Sequence, residues 1–136
     1  ASGQVIADGA AAVAVTGWTE VTDSAGAFVP ATGVFTVPVT GFYLISAQIQ
    51  FAATAALLNV QFRVHVAVGG VIIATGTMEN GVAALAATSQ PQVTVGLQLT
   101  AAQTVDIRAF LSANGGTDIA LTADATTNTL SIAKIG

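Results

Sequence analysis

Val34-Phe35-Thr36-Val37-Pro38-Val39-Thr40-Gly41-Phe42-Tyr43-Leu44-Ile45-Ser46-Ala47-Gln48-Ile49-Gln50-Phe51 says more about the fold than any other stretch of this chain. Tyr43, Ile45, Ala47, Ile49 and Phe51 fall on every second residue, the period of a strand with one buried face. The opposite face begins with Phe42 and Leu44 and turns polar only at Ser46, Gln48 and Gln50. A strand that is apolar on both faces is covered on both. In a two-sheet sandwich the core covers one face, and a second copy of the chain is the simplest cover for the other. Pro38 has no amide hydrogen to give a ladder and suits an edge or a strand start. Gly41 opens the strand where a side chain is expected to crowd the neighbouring sheet.

Outward from this segment the period of two continues. Leu58, Val60, Phe62, Val64, Val66 and Val68 alternate with Asn59, Gln61, Arg63, His65 and Ala67, which predicts a core face and a wet face. Gly69-Gly70 turns the chain into a hairpin partner over residues 71–75. Val93, Val95, Leu97 and Leu99 form one further apolar face, and Val105, Ile107, Ala109 and Leu111 another, with residues 100–104 as the turn between them. Residues 129–135 read as a closing strand, and Asn114-Gly115-Gly116 as a turn. The Ala10-Ala11-Ala12 and Ala83-Ala84 pieces suffice for a helical turn at most. The expectation is an all-β, two-sheet antiparallel sandwich or barrel of about eight short strands. Patterning alone leaves jelly roll, immunoglobulin-like sandwich and lipocalin-like barrel open.

The composition sharpens the need for cover. Of 136 residues, 53% are apolar and 7% charged, with mean hydropathy +0.75, against roughly 25% charged in an average soluble domain. No run reaches the ~18 apolar residues of a spanning helix, so membrane insertion is not expected. Self-association is the expected way to hide the surplus. The net charge of −4, with Arg63, Arg108 and Lys134 as the only cations, excludes a nucleic-acid surface. Without cysteine there are no disulfides or thiolate metal sites. The length fits one domain over residues 1–136, with 1–16 an N-terminal strand or a connection from an upstream stalk. Ala1-Ser2-Gly3 carries no signal-peptide pattern.

The spacing of Asp23, Phe28, Phe35, Gly41 and Tyr43 resembles the signature of the complement C1q globular-head family, which shares its jelly roll with tumour necrosis factor. Residues 99–107, Leu-Thr-Ala-Ala-Gln-Thr-Val-Asp-Ile, resemble a second family motif, with Ala102 and Gln103 where the family has Gly and Asp. The leading family Phe falls at Gly17, one position before Trp18, and a later family aromatic is Ile45. The resemblance implies a ten-stranded jelly roll assembling as a trimer. It implies Phe28, Phe35, Gly41, Tyr43 and Ile45 as structural core, with Phe42 and Leu44 then falling at the trimer interface. It further implies a non-enzymatic homotrimerisation and recognition head of a surface or fibrous protein. The Ala-rich, charge-poor style is similar to heads of collagen-like glycoproteins on bacterial spores and of phage fibres, so the implied location is extracellular, at a cell or spore surface, or on a virion. The alternative is a carbohydrate- or ligand-binding, lectin-like jelly roll that contacts a glycan or protein through loops at residues 114–124.

Chemistry-bearing residues are sparse. His65 is the only histidine and sits beside Arg63, so neither a His-based metal triad nor an oriented general base is expected. Asp8, Glu20, Asp23, Glu79, Asp106, Asp118 and Asp124 are scattered, with no signal for the carboxylate pair, about 5 Å apart, of a retaining glycosidase. Some animal members of the family bind calcium. Asp118 and Asp124 are the acids that would serve, but two acids specify such a site weakly, and no cofactor is expected. Asp106 and Arg108 share one face of a strand as a surface pair.

Overall fold

The computed structural model describes residues 3–20, 22–52, 60–80, 88–112 and 116–136. Eleven strands run through them: β1 (Val5–Ile6), β2 (Val13–Ala14), β3 (Phe28–Val29), β4 (Val34–Thr36), β5 (Gly41–Gln48), β6 (Val60–Val68), β7 (Val71–Asn80), β8 (Gln92–Leu99), β9 (Thr104–Ser112), β10 (Ile119–Ala120) and β11 (Thr129–Lys134). All pairings are antiparallel.

One sheet has the order β11-β5-β8, and β10 pairs with β1 beside it. The facing sheet runs β3-β4-β9-β6-β7, with β2 also on β9. Phe51 continues the β5 line by bridging to both Ser89 and Leu121. The period of two supplies the core between the layers. Tyr43, Ile45 and Ala47 from β5 and Val60, Phe62, Val64 and Val66 from β6 meet Val105, Ile107, Ala109 and Leu111 from β9. Phe51 and Phe62 meet at a tilt, with centroids 4.8 Å apart.

Several expectations need correction. Residues 10–12 form no helical turn and lead into β2. The hairpin partner of β6 extends to Asn80, with a bulge between Val66 and Ala67. The supposed wet face of β6 is wet only in part, at Gln61 and Arg63. His65 and Ala67 are buried, because β6 lies between β7 and β9 and their outward side chains fold over it. Gly41 is tight for a different reason than neighbouring-sheet crowding. A Cβ there would lie 2.4 Å from the Gly136 carbonyl oxygen and 2.4 Å from Lys134 Cε, at the end of its own sheet. Phe28 is half-buried and packs against the core from its rim, opposite Phe35 in the β3–β4 pair. Expectations for Leu58 and Asn59, Ala83-Ala84 and Asn114-Gly115 lie outside the described residues.

The N-terminal stretch is tied to the body. Beyond its two short strands, the amides of Gly9 and Val15 donate to the Leu111 and Ile107 carbonyls at 3.0 and 2.8 Å, and the Gln4 carbonyl accepts from the Leu121 amide at 2.8 Å.

Candidate functional site

The outward face of β11-β5-β8 is the clearest candidate surface. Register places Phe42 beside Gln98, Leu44 beside Gly96, Ser46 beside Thr94 and Gln48 beside Gln92. On the other side Ala133 flanks Leu44, Ser131 flanks Ser46 and Thr129 flanks Gln48. Ile135 joins them, its amide donating to the Phe42 carbonyl at 2.8 Å. Cross-strand partners share a face, so these side chains form one surface, and none of them is charged.

Phe42 is 40% exposed, Leu44 41% and Ile135 58%. The Phe42 ring reaches across Gly96, where a Cβ would stand 2.8 Å from Phe42 Cζ. The face grades from this apolar end to hydroxyls, with Ser46 and Thr94 oxygens 3.0 Å apart, and then to the Gln48 amide, which donates to the Thr127 carbonyl at 3.2 Å. The face is thus uncharged and apolar at one end, on a chain with few charges overall.

The residues of the signature converge behind this face. Phe35 and Tyr43 pack edge to face at 6.2 Å, and the Tyr43 hydroxyl donates to the Val39 carbonyl at 2.6 Å. Ile45 is fully buried. Asp23 accepts from the amides of Phe28 at 2.7 Å and Ala25 at 3.0 Å, closing the turn before β3. Those bonds, the Phe28 one first, hold its carboxyl below the usual range. Trp18 is buried, and its Nε1 donates to the Val15 carbonyl at 2.8 Å. Sequence reasoning missed Gly33, on which Trp18 closes. The glycine has φ +72°, and a Cβ there would meet the Val15 carbonyl oxygen at 2.1 Å. Its place two residues before Phe35, in a turn, was the available signal.

A cleft of about 340 Å³ opens between β11 and the segment leading to β4, lined by Trp18, Phe28, Phe35, Leu130 and Ile132 with Glu20 and Asp23 among its polar groups. The loop acids each have local partners. Asp118 accepts from the Asp8 amide at 3.0 Å. Asp124 accepts from the Thr126 hydroxyl and amide, both at 2.7 Å, which hold its carboxyl below the usual range. No group of three or more His, Asp or Glu side chains among the described residues is arranged to hold a metal ion.

Sandwich layers of this order have known counterparts among solved structures. Murine APRIL superposes with a TM-score of 0.65 over 96% of this chain and 98% of its own, at 14% identity. The fold is that of the TNF and C1q jelly rolls. The Eiger TNF of S. frugiperda aligns with a TM-score of 0.57 at 15% identity, over 78% of this chain and 66% of its own. The globular domain of zebrafish complement 1qA aligns with a TM-score of 0.52 at 16% identity, over 86% and 90%. No protein-family profile matches the chain, and no curated protein does. The jelly-roll assignment resolves the choice that strand patterning left open.

Proposed function

We propose that this jelly roll is a non-enzymatic homotrimerisation and recognition head, joining three copies of a surface or fibrous protein outside the cell. The observation that carries it is the uncharged outward face of β11-β5-β8, with Phe42, Leu44 and Ile135 half-exposed at one end. Burial at about 25 cal/mol per Å² makes such a face costly to leave in water. The resemblance in the Asp23–Tyr43 spacing supplies the number three. Trimerisation multiplies weak outward contacts by avidity. A collagen-like stalk, a spore coat or a virion fibre is the kind of assembly such a head would cap.

Light scattering at micromolar concentration tests this directly, with a mass of three chains expected. Leu44→Arg places a charge on the face and is expected to yield monomers that keep the wild-type circular dichroism spectrum. A wild-type monomer, or an unchanged mass for Leu44→Arg, removes this face from self-association.

A second reading, a lectin-like domain, is favoured by the aromatic cleft beside β11 with its polar groups at Glu20 and Asp23. Glycan-array binding that is lost in Trp18→Ala, with folding verified, would support it.

A further inference from the structure

The outward face of the second sheet carries a different chemistry. Two of the three cations and the only histidine of the chain lie there together. Arg63 and His65 are two apart on β6, where Arg63 stands opposite Phe110 and His65 opposite Arg108. Arg63 lies over the Phe110 ring, 5.1 Å from its centroid, and His65 meets the same ring edge-on at 6.4 Å. His65 Nδ1 is 2.8 Å from the Thr75 hydroxyl of β7.

The acids on this face only partly offset the row. Asp106 pairs with Arg108 Nε at 2.7 Å. Glu79 of β7 accepts from Gln61 at 2.7 Å, and Gln61 in turn accepts from Arg63 Nη2 at 2.5 Å, so Glu79 is held one side chain away from the guanidinium. Arg63 Nε is buried and has no hydrogen-bond partner. Stacking on Phe110 and the bond to Gln61 hold the guanidinium in one orientation, and an oriented guanidinium suits a planar or tetrahedral oxyanion.

We propose that Arg63, His65 and Arg108 form a binding site for an oxyanion, a sulfate or carboxylate either free or carried on an acidic saccharide, and that the anion binds together with a proton on His65. Without the anion, burial first and then the fields of Arg63 and Arg108 oppose a charge on His65. An anion on this row reverses the electrostatic part of that opposition. Linkage is reciprocal, so acidification tightens anion binding and the anion raises the His65 pKa. This site lies on the opposite layer from the proposed self-association face and does not depend on it.

The test is an NMR titration of the His65 ring in millimolar sulfate and in chloride at equal ionic strength. The expected result is a midpoint higher by about half a unit or more in sulfate. Arg63→Gln should abolish the shift while keeping the thermal midpoint near wild type. The double variant Asp106→Asn/Arg108→Gln, which removes the ion pair whole, should weaken it even if Arg63→Gln misfolds. Identical midpoints in the two salts, or a full shift in folded Arg63→Gln, would overturn the proposal. A sulfated oligosaccharide that produces the same His65 shift at about tenfold lower concentration than inorganic sulfate identifies the saccharide as the source. A shift with inorganic sulfate at the lower concentration identifies the free ion.

Discussion

Gly33 is the residue on which the signature segment turns. Its φ of +72° belongs to the left-handed region, and the space a side chain would need is filled by the Val15 carbonyl, 2.1 Å from the ideal Cβ. Gly33→Ala combines backbone strain with displacement of the Trp18 segment and is expected to cost about 3 kcal/mol, read as a lower urea midpoint. Ala102 presents the opposite case. It has φ +71°, in the turn before β9 where the resembling family carries Gly. The turn survives because Gln103 Oε1 accepts the Thr100 amide at 2.7 Å, as an acid would. Ala102→Gly relieves the left-handed strain and is expected to raise stability by about 0.5–1 kcal/mol in the same assay. The sequence signalled a departure at both Ala102 and Gln103. It did not show that one side chain compensates for the other, because that depends on a hydrogen bond across the turn.

At the scale of elements, the closing strand comes as two pieces, β10 and β11, joined by an excursion over residues 121–128. Asn128 makes this possible. It is 4% exposed, accepts the Gln50 amide at 2.7 Å, and donates to the carbonyls of Thr122 at 2.7 Å and Asp124 at 3.1 Å. Asn128→Ala orphans these backbone groups and should cost about 2–3 kcal/mol, with the loss of amide protection in hydrogen exchange concentrated at Gln50 and β11. The layer built on β6 and β9 gives the fold a pH dependence. The folded-state pKa of His65 lies below its ordinary value of 6.5, so the unfolded chain binds the proton more readily. His65 therefore contributes stability above about pH 6.5 that is lost as pH falls through that value toward the lowered folded pKa. Thermal midpoints between pH 7.5 and 5 should decline in wild type in a low-sulfate buffer, and less steeply in His65→Gln. Alternation marked His65 as wet. The period assigns a face, but it cannot tell that the outward side chains of β7 and β9 close over that face.

For the whole molecule, the two layers divide the work. Core residues such as Ile45, Val64 and Ile107 are fully buried between them, and the outward face of β11-β5-β8 is left uncharged and half-apolar. The assembly expected from this face has a whole-molecule signature. The thermal midpoint of wild type should rise with protein concentration, while that of Leu44→Arg should not, checked by scanning calorimetry over a hundredfold dilution. If both midpoints are independent of concentration, the face is not an interface under those conditions.

The period of two in residues 41–51, 60–68, 93–99 and 105–111 was enough to set the class and most core positions, because a side chain's face follows from local backbone geometry alone. The family resemblance carried by Asp23, Phe28, Phe35, Gly41 and Tyr43 implied the jelly roll, and the exposed pair Phe42 and Leu44 was legible as the surplus of one strand. Other features were decided only by tertiary structure. Gly41 is confined by the returning C-terminus, and Trp18 is set against Gly33. His65 is buried under its neighbours, and Arg63, Phe110 and Arg108 are gathered from two strands more than forty positions apart. These depend on strand order and register, which join residues distant in the chain and leave no trace in the spacing of either segment by itself.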